Sequence, residues 1–130
     1  MNILVCYDGS NVSKDALTLG IRKAKARDGK LFVIYSMKGG MEVPRKEFER
    51  AEKMLKQVEI KLQSERIPCE TNLSVRGLEP GEDIVMYAKE KGIEEIIIGV
   101  KRRSKVGKLL FGSTAQFVIL EAHCPVLTVK

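Results

Sequence analysis

Apolar residues fall in two alternating kinds of pattern along this chain. Residues 3–7 (Ile3, Leu4, Val5, Cys6, Tyr7) and 31–35 (Leu31, Phe32, Val33, Ile34, Tyr35) are unbroken apolar runs. Such runs mark strands buried on both faces. Between them Ala16, Leu17, Ile21 and Ala24 recur at helical spacing, with Ser13 as a candidate cap and Asp28-Gly29 as the stop. Gly39-Gly40 then lies in a loop, and Pro44 suits the first turn of a second helix. In that helix Phe48, Ala51, Leu55, Val58 and Leu62 step by three and four, and Glu49–Lys53 and Glu52–Lys56 pair across one turn.

The third strand, Cys69–Val75, alternates: Cys69, Thr71, Leu73 and Val75 against Glu70, Asn72 and Ser74. Alternation predicts an edge or one-sided strand. Pro80 opens a helix with Ile84, Val85 and Ala88 as its buried stripe, and Gly92 closes it. Residues 93–98 form a fourth strand running to Gly99, and a basic loop leads to Gly112-Ser113-Thr114. Ala115, Val118, Ile119 and Ala122 mark the last helix, and Pro125 starts a terminal strand. Strands alternating with crossover helices predict an α/β domain with a mainly parallel sheet covered on both faces. Ligands bind such sheets beyond the carboxyl ends of the strands, where strand order reverses. If strands 1 and 4 flank that reversal, the Asp8 and Gly99 loops face each other across one crevice.

Composition narrows the picture without redirecting it. The 130 residues suit a single domain, 1–130, and 44% hydrophobic with 31% charged residues is a globular balance. No apolar run approaches membrane-spanning length, and the N-terminus lacks a basic region followed by a long apolar one, so the expectation is a cytoplasmic protein away from membranes. Cys6, Cys69 and Cys124 have no paired spacing and are expected to be buried, reduced thiols; with one histidine, a metal held by side chains is not expected.

The net charge of +6 is local. Lys101, Arg102, Arg103, Lys105 and Lys108 crowd residues 99–112 without an acid, whereas residues 67–98 are net acidic. A local basic patch argues for a local anionic partner. Against nucleic acid stand the short basic surface and the absence of aromatic residues in 99–110.

The candidate chemistry gathers in residues 96–116. Ser113 with Gln116 three residues later fits a capping box, and the same hydroxyl, with Thr114 and the N–H groups beside Gly112, makes an oxyanion cradle. Gly99 either simply ends its strand or lets a sugar or phosphate approach the backbone. Asp8 is either a turn residue satisfying its own loop or an acceptor for a base or ribose. His123 reads as a last-turn residue favoured by the helix dipole. There is no P-loop, because Gly107-Lys108 is followed by Leu109, and no G-x-G-x-x-G. Nothing supplies an obvious general base, so the sequence does not support catalysis.

These features together resemble the universal stress protein family. Its nucleotide motif is Gly, two residues, Gly, nine residues, then Gly-Ser or Gly-Thr. The chain has Gly99, two residues, Arg102, nine residues, then Gly112-Ser113. The opening VCYDGS, the closing CPVLTVK and the element order match as well. The resemblance implies a Rossmann-like three-layer α/β/α sandwich of the adenine nucleotide alpha hydrolase type, with a five-stranded parallel sheet ordered 3-2-1-4-5. It implies ATP, or AMP, ADP or cyclic AMP, with Mg²⁺ as an optional companion. Asp8 would lie near adenine and ribose, the main chain at about Ser36 would contact the base, Gly99 would lie by the ribose, and Gly112, Ser113 and Thr114 would bind phosphate. It also implies a homodimer through the last strand, Val126–Val129. The departure is Arg102 in place of the motif's second glycine. That side chain either blocks the phosphates or adds a bidentate donor to them. The alternative function is a dimeric interaction module that binds no nucleotide.

Overall fold

Among the described residues nine elements alternate strictly between strand and helix. The computed structural model describes residues 1–39, 43–100 and 111–130. In chain order they are β1 (Asn2–Cys6), α1 (Asn11–Arg27), β2 (Lys30–Met37), α2 (Arg45–Ser64), β3 (Cys69–Val75), α3 (Pro80–Glu90), β4 (Glu95–Gly99), α4 (Ser113–Glu121) and β5 (Val126–Val129). The strands form one parallel sheet ordered β3-β2-β1-β4-β5. Val5 sits level with Val33 on one side and Ile97 on the other.

Side chains alternate across a strand, so each apolar run serves two cores. Leu4, Cys6, Phe32, Ile34, Ile96 and Ile98 pack beneath α3 and α4, against Ile84, Val85, Tyr87, Ala88, Ala115 and Val118. Ile3, Val5, Leu31, Val33 and Ile97 pack on the opposite face against Ala16, Leu17, Ile21 and Ala24 of α1 and Leu55, Val58 and Leu62 of α2. Each fully buried Ile or Leu contributes about 2 kcal/mol of transfer free energy, which is why the buried positions of the central strands are all apolar. Among the described residues β3 pairs only with β2, and it is only partly covered, as its alternation predicts.

Several boundaries differ from the sequence expectation for identifiable reasons. α1 is capped by Ser10, not Ser13: the Ser10 side chain accepts from the Ser13 N–H, and Ser13 is itself buried in the first turn. β4 begins at Glu95 because Ile93 belongs to the end of α3. Gly92 adopts φ +61°, its N–H donates to the Lys89 carbonyl, and the Ile93 N–H donates to the Ala88 carbonyl. That pair of bonds is a Schellman cap, which withdraws Ile93 from the strand. Phe48 is 38% exposed, since the first turn of α2 buries nothing and contact with the sheet begins at Ala51. α4 ends at Glu121, so His123 is not a last-turn residue. Its Nε2 lies 3.0 Å from the Ile93 carbonyl oxygen, tying the loop before β5 to the loop before β4.

Candidate functional site

Strand order reverses between β1 and β4: α1 carries the chain from β1 to one side, and α4 carries it from β4 to the other. A cleft opens beyond the carboxyl ends of two such strands because their following loops diverge. There a cavity of about 310 Å³ is lined by Asp8, Ser36, Gly99, Gly112, Ser113 and Thr114, with Cys6, Ile34, Ile84 and Ile98 among its apolar walls. The structure therefore brings six of the seven sequence-derived candidates to one hollow. The seventh, Arg102, lies outside the described residues, as do Lys101, Arg103, Lys105 and Lys108.

Each wall has a local cause. At the end of β1 the chain turns sharply, with Gly9 at φ +81°. One Asp8 carboxylate oxygen, Oδ1, accepts the Ser10 N–H at 2.9 Å, an Asx turn that holds the acid at the cavity edge. The Asp8 N–H reaches the Ser13 hydroxyl at 3.4 Å, and that hydroxyl donates to the Ser10 carbonyl at 2.9 Å. At the end of β4, Gly99 is pressed against α1. A Cβ there would stand 2.8 Å from the carbonyl carbon and oxygen of Val12. This glycine is required by helix-on-strand packing, independently of any ligand.

The start of α4 differs from the capping-box expectation. Gly112 is the N-cap, in extended conformation (φ −66°, ψ 162°), Ser113 is the first helical residue, and among the described residues no side chain caps the helix. The first intrahelical donor is Gln116, bonded to the Gly112 carbonyl at 3.0 Å. Helix geometry leaves the N–H groups of Ser113, Thr114 and Ala115 without an intrahelical acceptor. With the positive end of the dipole and two hydroxyls beside them, they form a cradle for an anion on the cavity wall.

The floor at β2 holds residues that the sequence reading did not mark. Ser36 Oγ donates to Asp83 Oδ2 at 2.5 Å, and Arg76 Nε donates to Asp83 Oδ1 at 2.7 Å while its Nη1 reaches Glu90 at 2.7 Å. Asp83 is 1% exposed on α3, between the cavity-lining Pro80 and Ile84. The available signal was an acid interrupting an apolar stripe just after a helix-opening proline. It reads equally well as a first-turn acid favoured by the dipole.

Electrostatics around the mouth follow burial and Asp8. Burial first, and then the Asp8 charge, pushes the Cys6 thiol up to about 12. Tyr7 and Tyr35 are raised for the same two leading reasons. All three cysteines are free thiols, with Cys6 buried and Cys69 and Cys124 partly so. Among the described residues no group of three His, Cys, Asp or Glu side chains gathers to hold a metal ion. No described helix is long and apolar enough to cross a membrane.

Comparison with known proteins agrees with this geometry. The family model described as universal stress protein family matches residues 1–130. A universal stress protein of Mycolicibacterium smegmatis is 36% identical over 128 residues, covering 98% of this chain and 96% of that protein. The structure of a universal stress protein from Archaeoglobus fulgidus superposes with a TM-score of 0.90 at 35% identity, covering 100% of this chain and 98% of the other. Another, from the same organism in complex with dAMP, has a TM-score of 0.84 at 31% identity, with 100% and 98% covered. The five-stranded parallel order, the reversal between β1 and β4 and a match along the whole chain lead to one conclusion: this chain belongs to the universal stress protein family.

Proposed function

We propose that this protein binds ATP or a related adenine nucleotide in the cavity between the ends of β1 and β4, and works as a nucleotide-linked stress sensor or switch. The observation that carries the reading is the convergence of Asp8, Ser36, Gly99, Gly112, Ser113 and Thr114 on one hollow of about 310 Å³, with an uncapped helix start in its wall. A relative of 31% identity in complex with dAMP supports it. In this reading Asp8 accepts hydrogen bonds from the ribose or base. The Gly112–Thr114 cradle takes phosphate, and Arg102 adds a bidentate phosphate donor. Any Mg²⁺ would rest mainly on the nucleotide phosphates, because Asp8 is the one acid among the described lining residues. Hydrolysis, if any, is slow and incidental. The protein is proposed to be cytoplasmic and to dimerise through the outer edge of β5, Val126–Val129, which among the described residues pairs with β4 alone.

The test is mass spectrometry of nucleotide released from the purified protein, followed by titration of the wild type, Asp8→Ala and Ser113→Ala. Expected is binding that both substitutions weaken. If ATP, ADP, AMP and cyclic AMP all fail to bind below millimolar concentration, the reading is wrong. Appearance of ATP binding only in Arg102→Gly would favour the alternative, a dimeric interaction module with its pocket closed by Arg102.

A further inference from the structure

A second hollow, of about 390 Å³, lies between β3 and the last turns of α3. No described residue lines both it and the cavity at the ends of β1 and β4. Its position follows from the sheet. Asn72 stands level with Ile34 and Ser74 with Ser36, so both polar side chains share the face that carries α3 and α4. The core on that face draws on β1, β2 and β4 and takes no buried residue from β3. The outer strand therefore presents a polar strip where β2 presents Ile34.

The side chains around this hollow are held in place. Arg76 Nε donates to Asp83 Oδ1 at 2.7 Å, its Nη1 to Glu90 at 2.7 Å and its Nη2 to the Asp83 carbonyl at 3.3 Å. Those bonds orient the guanidinium and use three of its five N–H donors. Lys91 Nζ pairs with Glu70 at 2.8 Å and lies over the Tyr87 ring, 5.8 Å from its centre. Tyr87 is 3% exposed, and its hydroxyl has no hydrogen-bond partner among the described residues. That hydroxyl sits among the charges of the hollow. Burial first, then Glu70 and Glu90, push the phenol up to about 12, with Arg76 acting against them. A buried polar group left unpaired is costly, so a ligand that pairs it gains by doing so.

Charge decides the class of ligand. Lys30, Arg76 and Lys91 are matched by Glu70, Asp83 and Glu90, all paired within 3.3 Å. No surplus charge is left to attract a phosphate or a cation. What remains is donors set beside acceptors: Arg76 next to Glu90, Lys91 next to Glu70, and an Asn72 amide that supplies both. Vicinal hydroxyls match this pattern, one accepting from the cation while its neighbour donates to the acid.

We propose that the hollow between β3 and α3 is a second binding site, for a small neutral polyol of the monosaccharide class. Its hydroxyls engage Asn72, Arg76 and Glu90, and one pairs with the Tyr87 hydroxyl once the exposed Lys91 side chain swings off the ring. The site does not depend on the nucleotide reading.

The test is a titration of the isotope-labelled protein with glucose, followed at the backbone amides by NMR. Expected are saturable shifts of about millimolar affinity, gathered in residues 72–76 and 87–91. Tyr87→Phe should weaken glucose by about tenfold without moving the unfolding midpoint. Asn72→Ala, at a half-buried position of the edge strand, should weaken it as well. Acetate, inorganic phosphate and glycine, offered in turn, should all bind more weakly than glucose. Failure to saturate by about a hundred millimolar overturns the proposal. So do shifts gathered at Asp8, Gly99 and Gly112 instead, tighter binding of a charged probe, or full glucose affinity in Tyr87→Phe. Each of these results leaves the nucleotide reading standing, and failure of AMP to bind leaves this proposal standing.

Discussion

Two helices begin at the same cavity and treat their first turns in opposite ways. α1 starts closed: Ser10 accepts from the Ser13 N–H at 3.3 Å, the Ser13 hydroxyl donates to the Ser10 carbonyl at 2.9 Å, and Asp8 holds the Ser10 N–H at 2.9 Å. α4 starts open, with Gly112 as its N-cap and no capping side chain among the described residues. Both present a positive dipole end, so the dipole cannot say which one would hold an anion. Hydrogen-bond satisfaction can. A first turn with one donor already taken by a cap gains less from a phosphate than one with no capping side chain, which gains more new charge-assisted bonds. The Asp8 side thus reads as a rigid rim and the Gly112 side as the receptive wall.

The largest effect should come from the wall between the two starts. Gly99→Ala sets a Cβ 2.8 Å from the Val12 carbonyl group, and overpacking of this kind costs about 2 kcal/mol. The denaturant midpoint should fall and nucleotide affinity with it, since the shifted α1 start moves the rim. An unchanged midpoint would show that α1 and β4 are not packed this closely.

Next come two substitutions that separate the helix starts. Ser113→Ala should weaken AMP by about tenfold while leaving the unfolding midpoint in place, because Ser113 makes no cap bond. Ser10→Ala should do the reverse, costing about 1 kcal/mol of stability through the lost cap with affinity little changed. If both variants lose stability and keep affinity, the contrast between a closed and an open start collapses.

Alkaline titration probes the closed side. Cys6, beside Asp8, is pushed up to about 12 from an ordinary 9, and Tyr87 to about 12 from 10, burial being the leading cause in each. A group raised in the folded state contributes stability that is complete below its ordinary value and is lost as pH climbs towards its folded one. Stability should therefore decline between pH 9 and 12, with Cys6 responding first. At pH 8 Cys6 should resist alkylation although it lines the cavity, while Cys69 and Cys124 react sooner; mass spectrometry of labelled peptides reads this directly, and prior labelling of Cys6 would refute it.

Smallest of all should be Tyr87→Phe. The Tyr87 hydroxyl is buried with no hydrogen-bond partner among the described residues, so its removal should leave stability unchanged or raise it by less than about 1 kcal/mol. The variant should also flatten the upper part of the alkaline decline. A clear loss of stability would mean that the hydroxyl is satisfied in solution.

The parts of the molecule that were legible in the sequence are those encoded by local periodicity. Unbroken runs such as residues 31–35 marked the doubly buried strands, alternation in Cys69–Val75 marked the edge, and the helical stripes Ala16 to Ala24 and Ala51 to Leu62 marked the crossovers. The strand order came from a resemblance rather than from periodicity, because no local pattern says which strands are neighbours. Motif spacing brought Asp8, Gly99, Gly112, Ser113 and Thr114 forward, and the structure places all of them on one cavity. Ser113 as a cap, Ser13 as a cap, Phe48 as a core residue and His123 as a helix end were reasonable local readings. Each failed because what a side chain meets depends on where the neighbouring element stops.

What the sequence determined by itself is the alternation of strands and helices, the two-faced core and the residue types available at the strand ends, since these depend on contacts within a few residues. Tertiary structure alone decided that Gly99 is pressed against Val12, that α4 begins uncapped while α1 begins closed, and that Asp83, 47 residues from Ser36, takes its only hydroxyl proton. Those facts are long-range steric and hydrogen-bond relations, which exist only once β1, β2 and β4 lie side by side and bring distant loops to one end of the sheet.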